Sequence, residues 1–455
     1  MADTALLIEL VRQARAQTDF PGKVTDKAVT CLADFLSCAI EAADLPWSRQ
    51  SFSLAGSRSG PCVIVGEAGS YSAEDAAFAN AVRGHGLVRE DMHAGSISHM
   101  GVVIWPVLLA LAGDNPAAKA NLLHAAIAGY EIGGRVGRAL MTPEMARLFR
   151  PTGLIGPLCA TLAGAMLLGL DEETTVNAIA LAVNTSGGLN EWPHSGADDM
   201  YFHPGFAARN AVTALKLAQL GAKGSATALD GVAGLFAAFG RASLPYRPVL
   251  YPDGDFEIIA VFNKEAPACN FAQSPCQVAL AASRRIAAGD DIGHIHLASY
   301  EAALNYPGCN YRGPFHTPLQ AKMSIYFGVA ATLARGEIAE SNYSLLADDR
   351  IARLINCMTI TIDEEINQAF PAKQGARLRI ETTSGAVIEE ALDDVRSASP
   401  ALVLERLQAA AGQRLGPQRK TELAEALQTL RSGPVSAAKI AALVALTAPH
   451  GERAA

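Results

Sequence analysis

Over the first 260 residues, hydrophobic positions recur with the period of a helix rather than of a strand. Ala- and Leu-rich runs at residues 26–43, 117–141, 156–169, 172–184 and 205–219 each place apolar side chains every three to four positions, and each predicts a helix. Several are dense in small residues. GPLCATLAGAMLLGL from Gly156 lets neighbouring helices approach closely, which fits a packed helical body better than a helix-covered parallel sheet. Two further apolar runs, residues 74–82 and 102–111, flank the polar segment GHGLVREDMHAGSISHMG.

After Asn263 the pattern changes. HIHLASYEAAL at His294 and CMTITIDEEI at Cys357 alternate apolar and polar positions, and ARLRIETTSGAVIEEAL from Ala376 reads as a hairpin turning at Ser384 and Gly385. One helix is predicted over residues 319–333, so this stretch forms a compact α+β unit. From Ala401 three helical runs return, separated by Gly-Pro signals. The expected fold is mainly α with a smaller α+β domain: a large all-helical domain over residues 1–262, completed by 398–455, and an α+β domain over 263–397.

With 455 residues, half of them hydrophobic and 18% charged, the chain can bury a large core in more than one domain. The net charge of −8 is dispersed and no basic tract stands out, which excludes a broad nucleic-acid surface and makes any anionic ligand depend on locally placed cations. The start, MADTALLIELVRQARAQ, carries Asp3 and Glu9 and no long apolar core, so no signal peptide, spanning helix or membrane partner is expected and the cytoplasm is the expected location. Eight scattered cysteines form no CxxC pair and read as reduced buried thiols. Cys269 and Cys276, with no histidine close by, are poorly spaced for zinc, so no metal site is expected. Motifs for nucleotide binding, zinc hydrolysis and serine hydrolysis are lacking.

Candidate chemistry concentrates in residues 84–101, where three of the ten histidines stand beside Arg89, Glu90 and Asp91. Acid, base and cation gathered between two apolar helices are what proton transfer next to a bound anion requires; the plain alternative is a polar loop with solvated charges.

In its motifs the chain resembles the MmgE/PrpD family nearly end to end. The resemblance is carried by AEDAAFANAVRGHGL at Ala73, HMGVVIWPVLLALA at His99, RPTGLIGPLCATLAGAMLLGL at Arg150, HPGFAARNAVTALKLAQLG at His203, NKEAPACNFAQSPCQVAL at Asn263 and LQAKMSIYFGVAATLARG at Leu319. It implies a homodimer, each subunit a large helical domain under a smaller α/β lid, with the active site in the cleft between them. It also implies no cofactor and a small polycarboxylate substrate, with proton transfer at a carbon next to a carboxylate. A carbon acid so placed is very weak, so cations must hold the carboxylate while a base waits nearby.

The resemblance assigns residues unevenly. His99 matches the family's catalytic histidine, with Met100 replacing the proline that usually follows. Lys264 matches the lysine of a Lys-x-x-Pro-x-Cys motif, with Pro267 and Cys269 in register. Asp91 and His93 fall in the family's acidic motif, whose leading aspartate is Val88 here and whose threonine is Met92. Arg150 stands where a catalytic histidine is usual, Met200 where a second lysine is, Phe327 where a tyrosine is and Gln273 where a histidine is.

These matches imply His99, Lys264, Asp91 and His93 as catalytic residues and Arg150, His203, Arg89 and Tyr311 as substrate contacts. An arginine cannot act as a base at ordinary pH, so histidine to Arg150 exchanges proton transfer for bidentate anion binding. Each residue also has a plain reading, as a helix-start histidine, a solvated lysine or arginine, or a loop residue. The expected activity is that of a lyase acting on a di- or tricarboxylate, most like 2-methylcitrate dehydratase. The alternatives are an isomerase (epimerase) or decarboxylase using the same carbanion-like intermediate, and a degenerate member that binds a carboxylate without turnover.

Overall fold

The computed structural model describes residues 4–56 and 59–449. Six long helices make the body: α1 (Gly22–Glu41), α2 (Ala73–His85), α3 (Gly101–Asp114), α4 (Leu122–Leu140), α5 (Pro151–Leu168) and α6 (Asp199–Gln219). Helix α3 is apolar all round and so belongs inside; every residue from Gly101 to Ala112 is buried, and α2, α4, α5 and α6 pack around it. Helix α5 is long and apolar enough to cross a membrane by length and composition alone, yet 89% of it is buried inside the fold.

Small residues set the spacing, as the sequence predicts. A methyl on Gly156 of α5 would stand 3.0 Å from Val103 of α3 and 3.1 Å from Ala207 of α6. Gly84, one residue before His85, allows α2 to rest on α1: a methyl there would lie 2.5 Å from the ring of Phe35, itself buried. Gly84→Ala is therefore expected to cost about 1–3 kcal/mol through overpacking, measurable by denaturant unfolding. An unchanged midpoint would show that Phe35 can give way.

A four-stranded mixed sheet forms the second unit, with order β4-β3-β5-β6. Strand β3 (Ile292–Ser299) runs parallel to β4 (Met358–Ile362) and antiparallel to β5 (Ala376–Thr382), which turns through Gly385, at φ 89, into β6 (Val387–Leu392). Helix α7 (Gln273–Ser283) covers β5 and β6. The single helix predicted over residues 319–333 is two, α8 (Pro318–Met323) and α9 (Ile325–Arg335). Ser324 breaks it: its backbone is extended, at ψ 121, and its side chain accepts from the Phe327 amide, capping α9.

Two contacts set the chain at the site. Strand β1 (Met92–His93) pairs antiparallel with β2 (Val261–Phe262), which sets the histidine-rich segment beside Lys264. These strands are too short for alternation to have announced them. Helix α10 (Pro400–Leu415) returns to pack on α1, and Arg406 donates to the backbone carbonyls of Lys264 at 2.9 Å and Glu265 at 2.7 Å, fixing the chain there.

Candidate active site

His85 ends α2, His99 immediately precedes α3, and Glu90 lies in the turn between them. Glu90 Oε1 is 2.6 Å from His85 Nδ1 and 2.8 Å from His99 Nδ1, and 4.0 Å from Lys264 Nζ. Glu90, His85 and Lys264 are buried, and His99 is 4% exposed. Burial alone would raise the Glu90 carboxyl, but Lys264 and the two imidazoles outweigh it and hold Glu90 well below the usual range, so it is an anion that accepts from both rings.

Hydrogen bonding then fixes both tautomers. His99 Nδ1 also faces the carbonyl of Asp91 at 3.3 Å, so Nδ1 carries the proton and Nε2 keeps its lone pair. His85 Nε2 accepts from Arg150 Nη2 at 3.0 Å, which leaves its proton on Nδ1 and the ring neutral. Burial pushes His99 down to about 3, with the charges of Lys264 and Arg150 adding to the effect and Glu90 opposing it. His99 is a free base at neutral pH.

Arg150 is the N-cap residue of α5, held by its amide to the Gly188 carbonyl at 3.0 Å, with its guanidinium 5.9 Å from the Trp192 ring. Its Nε is buried without a hydrogen-bond partner, as are Glu90 Oε2 and His203 Nδ1. Of these three residues, Arg150 lines a cavity. That cavity is lined from the body by Val88, Met92, Ile97, His99, Arg150 and Met200, and from the α+β unit by Cys269, Asn270, Phe271, Tyr306 and Met323. It is tight, with about 20 Å³ open to a water centre, room for about one water. Tyr306 and Met323 also line an outer cavity of about 370 Å³.

The structure thus brings together His99 and Arg150, with Lys264 just behind them. Lys264 donates to the carbonyls of Val88 and, at 3.3 Å, Ala268; burial lowers its ammonium and Glu90 opposes this. The other expected site residues bond elsewhere. Successive side chains of an extended strand point to opposite faces, so with Met92 lining the cavity His93 turns away, to Glu257 at 2.6 Å and Ser96 at 2.7 Å. The Asp91 carboxyl bonds the Tyr130 hydroxyl and the Gly101 amide at the start of α3, and burial raises it to about 7. Arg89 is spent on Glu41 at 2.7 Å and Ser37 at 2.9 Å. Tyr311 lines the outer cavity, its hydroxyl on the Pro314 carbonyl at 2.6 Å, and His203 approaches the site from behind Arg150.

His85 and Glu90 were missed as site residues, although both stand in the segment singled out for its crowding. Cys269 is a free buried thiol, as its apolar context predicts, and it also lines the cavity, with its Sγ 3.6 Å from that of Cys309. His85, Glu90 and His99 offer ligand atoms within 4.8 Å of one another, as a metal site would, but a cation there would face Lys264 and Arg150.

Buried neutral imidazoles make stability pH-dependent. His99 and His203 sit near 3, against an ordinary value of 6.5, and burial also lowers His85 and His93. Between about pH 6.5 and 3 the unfolded chain binds protons that the folded one does not, so stability present above 6.5 is lost on acidification. Asp91, raised to about 7, acts in the opposite sense over pH 4–7, as do the raised carboxyls of Asp34, Glu131, Asp198 and Glu340, whereas the depressed carboxyls of Glu90 and Glu257 add to the effect of the histidines. The melting temperature is expected to fall steadily from pH 7 to 4, and His203→Asn is expected to shrink the fall. A flat profile would mean that these rings are solvated.

A mainly helical body with a smaller α+β unit sets imidazole bases beside a guanidinium, an arrangement suited to a carboxylate ligand. The chain belongs to the MmgE/PrpD family: the MmgE/PrpD N-terminal domain matches residues 7–245 and the C-terminal domain residues 266–430. It is 24% identical over 404 residues to the cis-aconitate decarboxylase of Aspergillus terreus, covering 83% of this chain and 82% of that protein. Over 235 residues it is 28% identical to the cis-aconitate decarboxylase-like protein oryM of Aspergillus oryzae, covering 50% of this chain but only 46% of that relative. The cis-aconitate decarboxylase of Homo sapiens is 31% identical over 182 residues, covering 39% of this chain and 36% of that protein.

Proposed function

We propose that the protein is a cofactor-independent lyase that removes carbon dioxide from a small, unsaturated polycarboxylate. The observation that carries this reading is that His99, with its Nε2 lone pair free, and the Arg150 guanidinium line one cavity whose body-side wall is otherwise apolar. Arg150 holds the carboxylate that stays. The carboxylate that leaves has no second guanidinium or ammonium group lining the cavity among the described residues, so its charge is poorly compensated there while neutral carbon dioxide needs no such partner. As the C–C bond to that group breaks, its electron pair shifts across the adjacent double bond to the carbon next to the retained carboxylate. His99 delivers a proton there, having taken it from solvent as the substrate binds. A carboxylate on Arg150 offsets one of the charges that depress the ring, so the imidazole regains proton affinity when the site is filled.

Dehydration is the second reading. It rests on Cys269 and Tyr306, which line the same cavity and carry the S–H and O–H that a departing hydroxyl requires. Proton NMR in deuterated water with cis-aconitate, citrate, 2-methylcitrate, iminodisuccinate and other unsaturated di- and tricarboxylates separates the outcomes. Loss of carbon dioxide with one deuteron gained next to the remaining carboxylate is expected for at least one of them. Loss of water alone, or deuterium exchange without net reaction, would replace decarboxylation by dehydration or epimerisation.

A further inference from the structure

The body-side wall of the inner cavity is made by Val88, Met92, Ile97 and Met200, and Met323 continues it on the lid side. None of these side chains can pair with a carboxylate. Arg150 is the one guanidinium or ammonium group lining the cavity among the described residues; Lys264 stands behind it, and Glu90 cancels one of the two positive charges. With His99 neutral, as in the unfilled site, these groups carry an excess of one positive charge, matched by the one carboxylate that Arg150 holds.

Val88 adds an independent observation. It is β-branched, yet its backbone sits in the left-handed region at φ 59, a conformation that glycine and asparagine adopt readily and valine does not. The strain is maintained at a residue whose side chain faces the cavity and whose carbonyl receives Lys264. Asparagine there would relax the chain but remove the apolar surface. Met323 and Tyr306 are shared with the outer cavity of about 370 Å³, where Trp192, Pro193, Leu304 and Leu319 add apolar surface for an arm longer than two carbons.

We propose that the substrate is a dicarboxylate bearing an alkyl arm, the arm packing on Val88, Met92, Met200 and Met323 where a tricarboxylate would place its third carboxylate. The identity of the leaving group rests on the decarboxylation reading; the affinity for the arm does not. In calorimetry with the whole protein, 3-butylglutaconate is expected to bind at least tenfold more tightly than cis-aconitate. Val88→Asn, whose melting temperature is expected to hold or rise, should lose at least fivefold in affinity for the butyl compound and none for cis-aconitate. Equal or tighter binding of cis-aconitate, no binding of the butyl compound, or an unchanged preference in Val88→Asn overturns the proposal. Release of carbon dioxide is followed separately. Tight binding of 3-butylglutaconate without release upholds the substrate class and overturns decarboxylation, whereas release from cis-aconitate alone, with cis-aconitate the tighter ligand, does the reverse.

Discussion

His99→Ala is expected to lower kcat by about 10²–10⁴-fold on any substrate that the protein turns over, with KM changed little. His99 is the group at the cavity surface whose hydrogen bonds leave a lone pair facing the ligand: Nδ1 is committed to Glu90 and to the Asp91 carbonyl. Binding depends on Arg150, which bonds His85 rather than His99 and stays in place when the ring is removed. The loss therefore falls on the chemical step and not on the Michaelis complex. Folding is expected to survive, because the deletion removes a ring that is buried at a cost to its protonated form and leaves Glu90 with His85 and Lys264. Steady-state kinetics by NMR or by carbon dioxide release provide the measurement. A kcat within threefold of the parent would mean that the proton moves through another group, with Cys269 next in line.

The helical body was legible because its signals are local. Helix α3 is an unbroken apolar run that can only be buried, and the Ser384–Gly385 turn stands between two alternating strands. What the sequence did not show depends on distance along the chain. His85 reads as the end of an Ala-rich helix until Arg150, 65 residues away, is found on its Nε2. Asp91 and His93 lie in the right motif but face the wrong way, because Glu90 turns towards Lys264 while Tyr130 and Glu257 take the carboxyl of Asp91 and the ring of His93. The motif substitutions at Val88, Arg150 and Met200 were legible one by one. That Val88 and Met200 form a single apolar wall with Arg150 beside it required the fold.

Glu90→Gln is expected to destabilise the fold by about 3–5 kcal/mol and to abolish most activity. The substitution preserves shape, so its effect is one of charge. Lys264 is fully buried, and Glu90, at 4.0 Å, is the carboxylate facing it; a neutral amide leaves that ammonium in the interior without a counter-charge. The amide carbonyl can stand where Oε1 does and accept from both Nδ1–H groups, but as a neutral and weaker acceptor than the carboxylate, while the NH2 falls at the unpartnered Oε2 position. His99 is then held less firmly with Nε2 towards the cavity, and kcat falls with the stability. The two effects separate in a second background. Lys264→Met removes the stranded ammonium, so Glu90→Gln combined with Lys264→Met is expected to recover most of the lost stability, because replacing both members of a buried pair is far cheaper than breaking it. Activity is expected to return less completely than stability, since a neutral amide orients His99 more weakly than the carboxylate does. Denaturant unfolding of both single variants and the double completes the cycle. Strict additivity would show that Glu90 and Lys264 do not pair in solution, and would remove the reason for a depressed carboxyl at the centre of this site.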